Sequence, residues 1–490
     1  MNKQETRTRF APSPTGYMHI GNLRTALYAY LFAKHEKGKF ILRIEDTDQK
    51  RFVEGATDLI YRTLKQTGLK HDEGPDIGGD FGPYIQSERK PIYKEYAQKL
   101  VELGHAYYCF CGNDDAESQD ESQEQVQTFG YNRHCRNLTK EQVEEYLKQG
   151  KSYVIRQKIP LDGTTTFHDE VYGDITVENN SLDDQILLKS DGMPTYNFAN
   201  VVDDYLMNIT HVMRGKEYVS STPKYQLLYD AFGWKSPKTV HLSTIMGQNA
   251  DGSISKLSKR HGSVSFANLI EQDGYLTEAI LNYIALLGWS PRAEREVYSL
   301  DELVEIFDLE GIVKTNAIFD YKKLDWFNAI YIKEMSHEKF VEYSQPFIQD
   351  LPEFLKDKWE FASILAQSRI SKFSEIPQMF AFLSNYTDFD LALFENKKNK
   401  LDKASSLEIL LDMYDLLQKE NVWSVESLSN IIQEYTVLKE YKIGRTMWPL
   451  RIGVTGEVIT PGGGAEMLYL LGKQESLKRL NRCIERLKNA

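Results

Sequence analysis

Apolar side chains at Leu23, Ala26, Leu27, Tyr30 and Leu31 recur at intervals of three and four, the spacing that gathers them on one face of an α-helix. Gly38 predicts its end. Before it, residues 8–12 read as a short strand, and after it residues 40–44 read as a second. A strand, a helix and a strand of this length predict a right-handed β-α-β unit with parallel strands, the architecture of nucleotide-binding sheets. Strand-like patterns return at residues 153–159 and 185–188, and the sheet pattern is expected to resume near Asn200. Beyond about residue 330 the period is helical almost to the end, with no repeat and no Gly/Ser linker. The last helix sets Leu477, Leu480, Ile484 and Leu487 on one face and Lys478, Arg479, Arg482 and Arg486 on another, which predicts a bundle helix with a basic outer face.

Composition widens this picture to several domains. With 490 residues, 41% of them hydrophobic, the chain can bury two to four cores. Its longest apolar stretch, residues 279–289, is too short to cross a bilayer, and no apolar run follows the charged N-terminus, so a cytoplasmic protein without a membrane partner is expected. Residues 113–127, NDDAESQDESQEQVQ, are acidic and nearly free of hydrophobes, as in a solvated loop. A net charge of −12 argues weakly against a nucleic-acid partner, although local basic stripes decide that question. Of four cysteines, Cys109, Cys111 and Cys135 cluster with Tyr131, a pattern that suits a reducing compartment and either a tetrahedral Zn²⁺ site or three buried thiols. His134 is an alternative fourth ligand, and Cys483 reads as packed.

Candidate chemistry begins in the loop APSPTGYMHIGN, residues 11–22. Gly16 and Gly21 permit close approach of backbone to a ligand, and free N–H groups at the helix start favour phosphate, with His19 as a further donor. Taken alone, His19 reads equally well as a helix cap. Far downstream, Lys256, Lys259 and Arg260 lie in KLSKR, after the polar stretch GQNADGS that predicts a mobile loop. Alone, that run reads as a solvated charge patch.

Together the two fragments, HIGN and KLSKR, resemble the HIGH and KMSKS signatures of class I aminoacyl-tRNA synthetases, in the same order. RFAPSPTG at residues 9–16, RIEDTD at 43–48, PTYNFANVVDD at 194–204 and THVMRGKE at 210–217 resemble motifs of the glutamyl and glutaminyl branch. The ending KIGRTMWPLRIGVTGEVITPGG, residues 442–463, resembles the helical anticodon-binding region of the bacterial glutamyl-tRNA synthetases, so the resemblance runs from end to end. It implies a Rossmann-type parallel α/β catalytic domain in two halves, residues 1–105 and 199–262, around an inserted α+β acceptor-binding domain at 106–198. A helical junction at 263–330 and an all-helical anticodon-binding region at 331–490 follow.

Carried over residue by residue, the resemblance implies that Glu45 holds the ammonium of glutamate, that Arg9, Tyr196 and Asn200 hold its side-chain carboxylate, and that Arg214 holds its α-carboxylate. Ala11 and Ser13 line the same pocket, His19, Lys256, Lys259 and Arg260 serve ATP with Gly16 and Gly21, and Arg451 approaches anticodon bases. The implied reaction is two-step: the carboxylate attacks the α-phosphorus of ATP, and a hydroxyl of the terminal adenosine of tRNA(Glu), the 2′-hydroxyl by family habit, takes the glutamyl group. Mg²⁺ accompanies ATP, glutamate activation needs bound tRNA, and the family habit is a monomer. Some relatives carry Zn²⁺ on C-x-C and Y-x₃-C, the spacing found here, whereas Asn137 stands where a C-x-H pattern would need histidine. Two other classes of reading are a nucleotidyltransferase without tRNA, which would not need the C-terminal helices, and a tRNA-binding paralogue without catalysis, which intact His19, Lys256 and Lys259 oppose.

Overall fold

The structure, a computed structural model, describes residues 5–48, 53–111 and 131–490; the acidic run at 113–127 and the side chain of Lys259 lie outside the described residues. The chain divides into two compact units, Met1–Ile270 with Thr277–Tyr321, and Glu271–Leu276 with Lys322–Ala490.

The first unit opens with the expected β-α-β. Strand β1 (Arg7–Phe10) pairs in parallel with β2 (Lys39–Leu42), and helix α1 (Ile20–His35) crosses between them. Leu23, Ala26, Leu27 and Leu31 of α1 are all buried, as their spacing requires. Gly38 makes the return tight, because a Cβ there would lie 2.0 Å from the carbonyl oxygen of Thr6. A second parallel pair, His211–Gly215 with Lys238–Leu242, runs beside β1, tied to it by Thr210 N–H donating to the Arg7 carbonyl at 2.9 Å. The hairpin Thr164–Asp169 with Gly173–Glu178 extends that sheet. Residues 106–188 also form an antiparallel sheet of Ala106–Cys109, Val154–Gln157 and Ile186–Leu188.

Asn200 does not restart the sheet. It lies within the helix Tyr196–Leu206, where Phe198, Ala199, Val201 and Val202 are fully buried against Tyr93, Leu100, Tyr225 and Leu228, and the sheet resumes only at His211. The polar stretch before KLSKR forms the turn of a hairpin. Ile245–Gln248 and Ile254–Lys256 pair as an antiparallel hairpin, closed by Asn249 N–H to Ser253 O and Gly252 N–H to Asn249 O, with Gly252 at φ +83°. A polar Asn-Ala-Asp-Gly-Ser run therefore serves as a turn, and Lys256 ends a strand.

The second unit is helical from Tyr321–Glu334 to the closing helix Lys473–Lys488, in agreement with the period of the sequence. Leu480, Ile484 and Leu487 are buried there, each worth about 1.5–3 kcal/mol of transfer from water. Arg479 departs from the basic outer face. It is buried, and its guanidinium donates to Glu475 and to the carbonyls of Val454, Leu383 and Phe382, so it satisfies chain ends inside the bundle. Cys483 is packed as expected, beside the Tyr386 hydroxyl. Among the described residues no helix is long and apolar enough to cross a membrane.

Candidate active site

The C-terminal ends of three neighbouring strands deliver the principal side chains, as the geometry of parallel sheets favours. Arg9 is the third residue of β1, Glu45 follows β2, and Arg214 is next to last in His211–Gly215. A cleft of about 600 Å³ opens over these ends. Arg9, Ala11, Ser13, Glu45, Tyr196 and Arg214 line one part, and His19, Gly21 and Lys256 another. Sequence motifs more than 200 residues apart in the chain thus meet in one concavity.

His19 is both a cap and a candidate donor. Its Nδ1 accepts the N–H of Gly21 at 3.0 Å, capping α1, so in the neutral ring the proton sits on Nε2. Burial, and then the nearby charge of Lys256, holds its pKa below the ordinary histidine value. The ring is therefore a neutral donor fixed at a helix N-terminus that is ready for phosphate. Gly16 precedes it at φ +130°, a conformation that favours glycine.

At the other end of the cleft the charges are dense and dry. Arg9 donates through Nε and Nη2 to Asp204 at 3.1 and 3.4 Å, and through Nη1 to the Met213 carbonyl at 3.2 Å. Arg43, fully buried, joins Glu45 and Asp204, each at 2.8 Å. Burial raises the pKa of Glu45, while Arg43 and Arg9 work against that rise. Arg214 is different: it is 7% exposed, and its Nε and Nη1 have no hydrogen-bond partner among the described residues. Its guanidinium lies 5.3 Å from the Tyr218 ring and 5.1 Å from that of Tyr225, contacts that hold its plane without using its N–H groups. Buried unpaired donors are costly, which marks Arg214 as waiting for an acceptor.

Three predicted residues stand apart from this cleft. Asn200 donates its amide to the Tyr196 carbonyl at 2.8 Å and lines an adjoining cavity with Asp204 and Arg214. Arg260 is exposed and bonded to Ser255 at 2.7 Å, and Gly16 sits in the loop outside the lining. Sequence reasoning missed Arg24, Arg43 and Asp204. Arg24, buried in the cleft wall on α1, donates to the main-chain carbonyls of Leu287 and Ser243. The signal was present: Arg24 and Asp204 are charged residues inside otherwise apolar helical runs, and such residues need partners.

The three thiols do converge. The Sγ atoms of Cys109, Cys111 and Cys135 lie within 4.8 Å of one another, with Cys111 to Cys135 at 3.5 Å. The Tyr131 hydroxyl is 3.1 Å from Cys109 Sγ and 4.0 Å from Cys111 Sγ, whereas His134 is exposed beside them. Three sulfurs and an oxygen so placed fit a tetrahedral Zn²⁺.

Known proteins match this arrangement along the whole chain. The family model described as tRNA synthetases class I (E and Q), catalytic domain, matches residues 5–326, and that of an anticodon binding domain matches residues 339–484. A glutamate–tRNA ligase of Clostridium novyi is 53% identical, with 100% of each chain covered. The chain belongs to the glutamate–tRNA ligase family. It is accordingly a class I aminoacyl-tRNA synthetase. A second relative in the family, from Clostridium tetani, is 52% identical over 100% of this chain and 99% of its own. The crystal structure of a glutamate tRNA ligase from Elizabethkingia meningosepticum in complex with its amino acid superposes with a TM-score of 0.84 at 35% identity, covering 99% of this chain and 100% of that one.

Proposed function

We propose that the chain joins glutamate to the 3′ end of tRNA(Glu) through glutamyl-adenylate, with the cleft at the ends of β1, β2 and His211–Gly215 as the site of both steps. The observation that carries this reading is Arg214, whose two buried nitrogens without partners among the described residues stand in the same cleft as Arg9 and Glu45. Glutamate offers one ammonium and two carboxylates; Glu45 takes the ammonium, Arg9 with Tyr196 and Asn200 the side-chain carboxylate, and Arg214 the α-carboxylate. The Asn200 amide donates one hydrogen to the Tyr196 carbonyl and has a second to offer that carboxylate.

Neither step needs a general base on the protein. Attack of a carboxylate on phosphorus depends on alignment and on neutralising charge on oxygen, which falls to His19, the α1 N-terminus, Lys256 and Lys259. Arg24, held by the carbonyls of Leu287 and Ser243, adds fixed positive charge to the wall. Mg²⁺ travels on the phosphate oxygens and water, so no side chain is assigned to it. Lys259→Ala lowers adenylate formation by about 10²–10³-fold in single-turnover kinetics while glutamate affinity holds. An unchanged activation rate removes that role.

We assign residues 106–198 to the tRNA acceptor end, 263–330 to a junction, and 331–490 to the anticodon, with a monomer in the cytoplasm as the working unit. Arg451, on the helix Ile443–Thr455, lies 5.0 Å from the Trp448 ring, a cation and an aromatic plane suited to unpaired bases. Cys109, Cys111, Tyr131 and Cys135 would hold Zn²⁺, which supplies a structural clamp to the insertion. Purified protein then contains about one Zn per chain, and Cys109→Ser loses it. Metal analysis finding none after expression in ample zinc removes the site. The decisive experiment is charging of purified tRNA(Glu) and tRNA(Gln) with labelled glutamate and glutamine, alongside pyrophosphate exchange with and without tRNA. Exchange independent of tRNA favours a nucleotidyltransferase, and no charging at all a paralogue without catalysis.

A further inference from the structure

We infer that Asp204 is the positioning residue of the glutamate pocket: one buried carboxylate that aims both Arg9 and Arg214 and limits the charge they present. The inference rests on the reading that these two guanidiniums bind the carboxylates of glutamate. Asp204 lies on the helix Tyr196–Leu206 at 1% exposure, and three arginines from three different strand ends converge on it. Its Oδ1 accepts from Arg9 Nε at 3.1 Å and Arg43 Nη1 at 2.8 Å, and its Oδ2 lies 3.4 Å from Arg9 Nη2 and 4.0 Å from Arg214 Nη2. Burial would raise the pKa of Asp204, but Arg9, Arg43 and Arg214 hold it below the usual carboxylate range, so it stays ionised.

The pattern of donors defines what Asp204 does. On Arg9 it occupies the lateral fork, Nε with Nη2, and so leaves the terminal fork, Nη1 with Nη2, to face a ligand; Nη1 is steadied by the Met213 carbonyl. On Arg214 it faces Nη2 across 4.0 Å, an ion pair and not a hydrogen bond, and Nε and Nη1 have no partner among the described residues. Charge follows the same logic. Asp203 is shared by Arg89 at 2.7 Å and Arg43 at 3.7 Å, so the buried network sets Arg9, Arg43, Arg89 and Arg214 against Glu45, Asp203 and Asp204. Four guanidiniums and three carboxylates leave one buried positive charge. Glutamate, with two carboxylates and one ammonium, carries one net negative charge and cancels it. Glutamine is neutral and leaves it buried and unmatched, a large penalty in a dry site. Asp204 touches no substrate on this account; it acts through the arginines.

The test is Asp204→Asn, which keeps the shape, removes the charge and turns an amide NH₂ toward arginine donors. With the full-length enzyme and saturating tRNA(Glu), the KM for glutamate should rise about tenfold or more as the arginine forks lose their aim, and the preference for glutamate over glutamine should shrink, lost orientation outweighing the added positive charge. The KM for ATP and the kcat should stay within about threefold, a split that a merely structural defect would not produce. Arg9→Ala and Arg214→Ala are the controls. If both raise the glutamate KM and Asp204→Asn leaves KM and preference unchanged, the role of Asp204 is overturned while the pocket reading stands. If neither control changes it, the pocket reading falls and Asp204 with it. Should Asp204→Asn fail to fold, Asp204→Glu keeps the charge and displaces the carboxylate by one methylene; an unraised glutamate KM there overturns the proposal equally.

Discussion

Arg7 and Arg9 stand two residues apart on β1, on the same face of the strand, and both are 4% exposed. Arg7 is complete. It donates to both oxygens of Glu73 at 2.7 and 2.9 Å and to the Met207 carbonyl at 3.0 Å, while Glu73 takes further donors from Tyr84 and Lys39. Burial pushes the Glu73 carboxyl up, yet its hydrogen bonds to Arg7, Tyr84 and Lys39 bring it down to about 2. Arg9 shares one aspartate with two other arginines, and its neighbour across the cleft, Arg214, lacks acceptors for two of its nitrogens. Burial of an arginine therefore does not mark a binding site. Incomplete matching inside a cleft does, because a ligand there can complete donors that are costly to leave buried and unpaired.

The contrast breaks most sharply at Glu73. Glu73→Ala strands a buried guanidinium and should cost about 3–5 kcal/mol of folding stability in denaturant titration. The glutamate KM of the folded fraction should not change. The same carboxylate makes an acid limb: its contribution is complete above the ordinary glutamate value of 4.5 and is lost as pH falls from there toward about 2, which wild-type melting curves across that window would reveal. A Glu73→Ala enzyme that is fully stable but binds glutamate poorly would reverse the two assignments.

Arg9→Ala should do the opposite, with folding largely kept and catalytic efficiency for glutamate lowered by about 2–4 kcal/mol of transition-state binding. Preference over glutamine should narrow with it. The two amino acids are nearly equal in size, so shape cannot separate them, and an amide turns an unmatched NH₂ toward the donors. Arg9→Lys should rescue only in part, since an ammonium keeps charge and loses the fork. Unaltered efficiency and preference in Arg9→Ala would place the reading of the side-chain carboxylate elsewhere.

The smallest effect on stability belongs to His19, which combines the two conditions in one ring: Nδ1 is matched by Gly21, and Nε2 is left to donate. Its folded pKa lies below the free value of 6.5, so the neutral cap stabilises fully above pH 6.5 and loses strength as pH falls below it. Melting temperature measured from pH 8 to pH 5 should fall on the acid side, by an amount in keeping with a helix cap of about 1 kcal/mol. His19→Asn, which caps without titrating there, should flatten that slope while losing activation of glutamate. A slope that persists unchanged in His19→Asn assigns it to other groups.

Much of the site was legible as fragments. RFAPSPTG, HIGN, RIEDTD, PTYNFANVVDD and KLSKR each carry local backbone or side-chain requirements, and these survive in one dimension. The same holds for α1, for the β-α-β order and for the C-terminal helices, whose apolar periods are properties of neighbouring residues. A short apolar run does not declare its period, so the helix Tyr196–Leu206 also fits a strand in the sequence, and a hairpin turn has loop composition, so GQNADGS does not announce the strands beside it.

By itself, then, the sequence determined the family, the order of elements and the residues able to bind charge, because each is written in types and spacings a few residues long. Tertiary structure alone decided which charges are spent and which are spare. Arg7 meets Glu73 across 66 residues, Arg9 meets Asp204 across 195, and Arg479 turns inward to carbonyls as far as 97 residues away. Pairing at such range depends on where the sheet and bundle bring side chains together, and desolvation there raises the cost of any donor left unmatched.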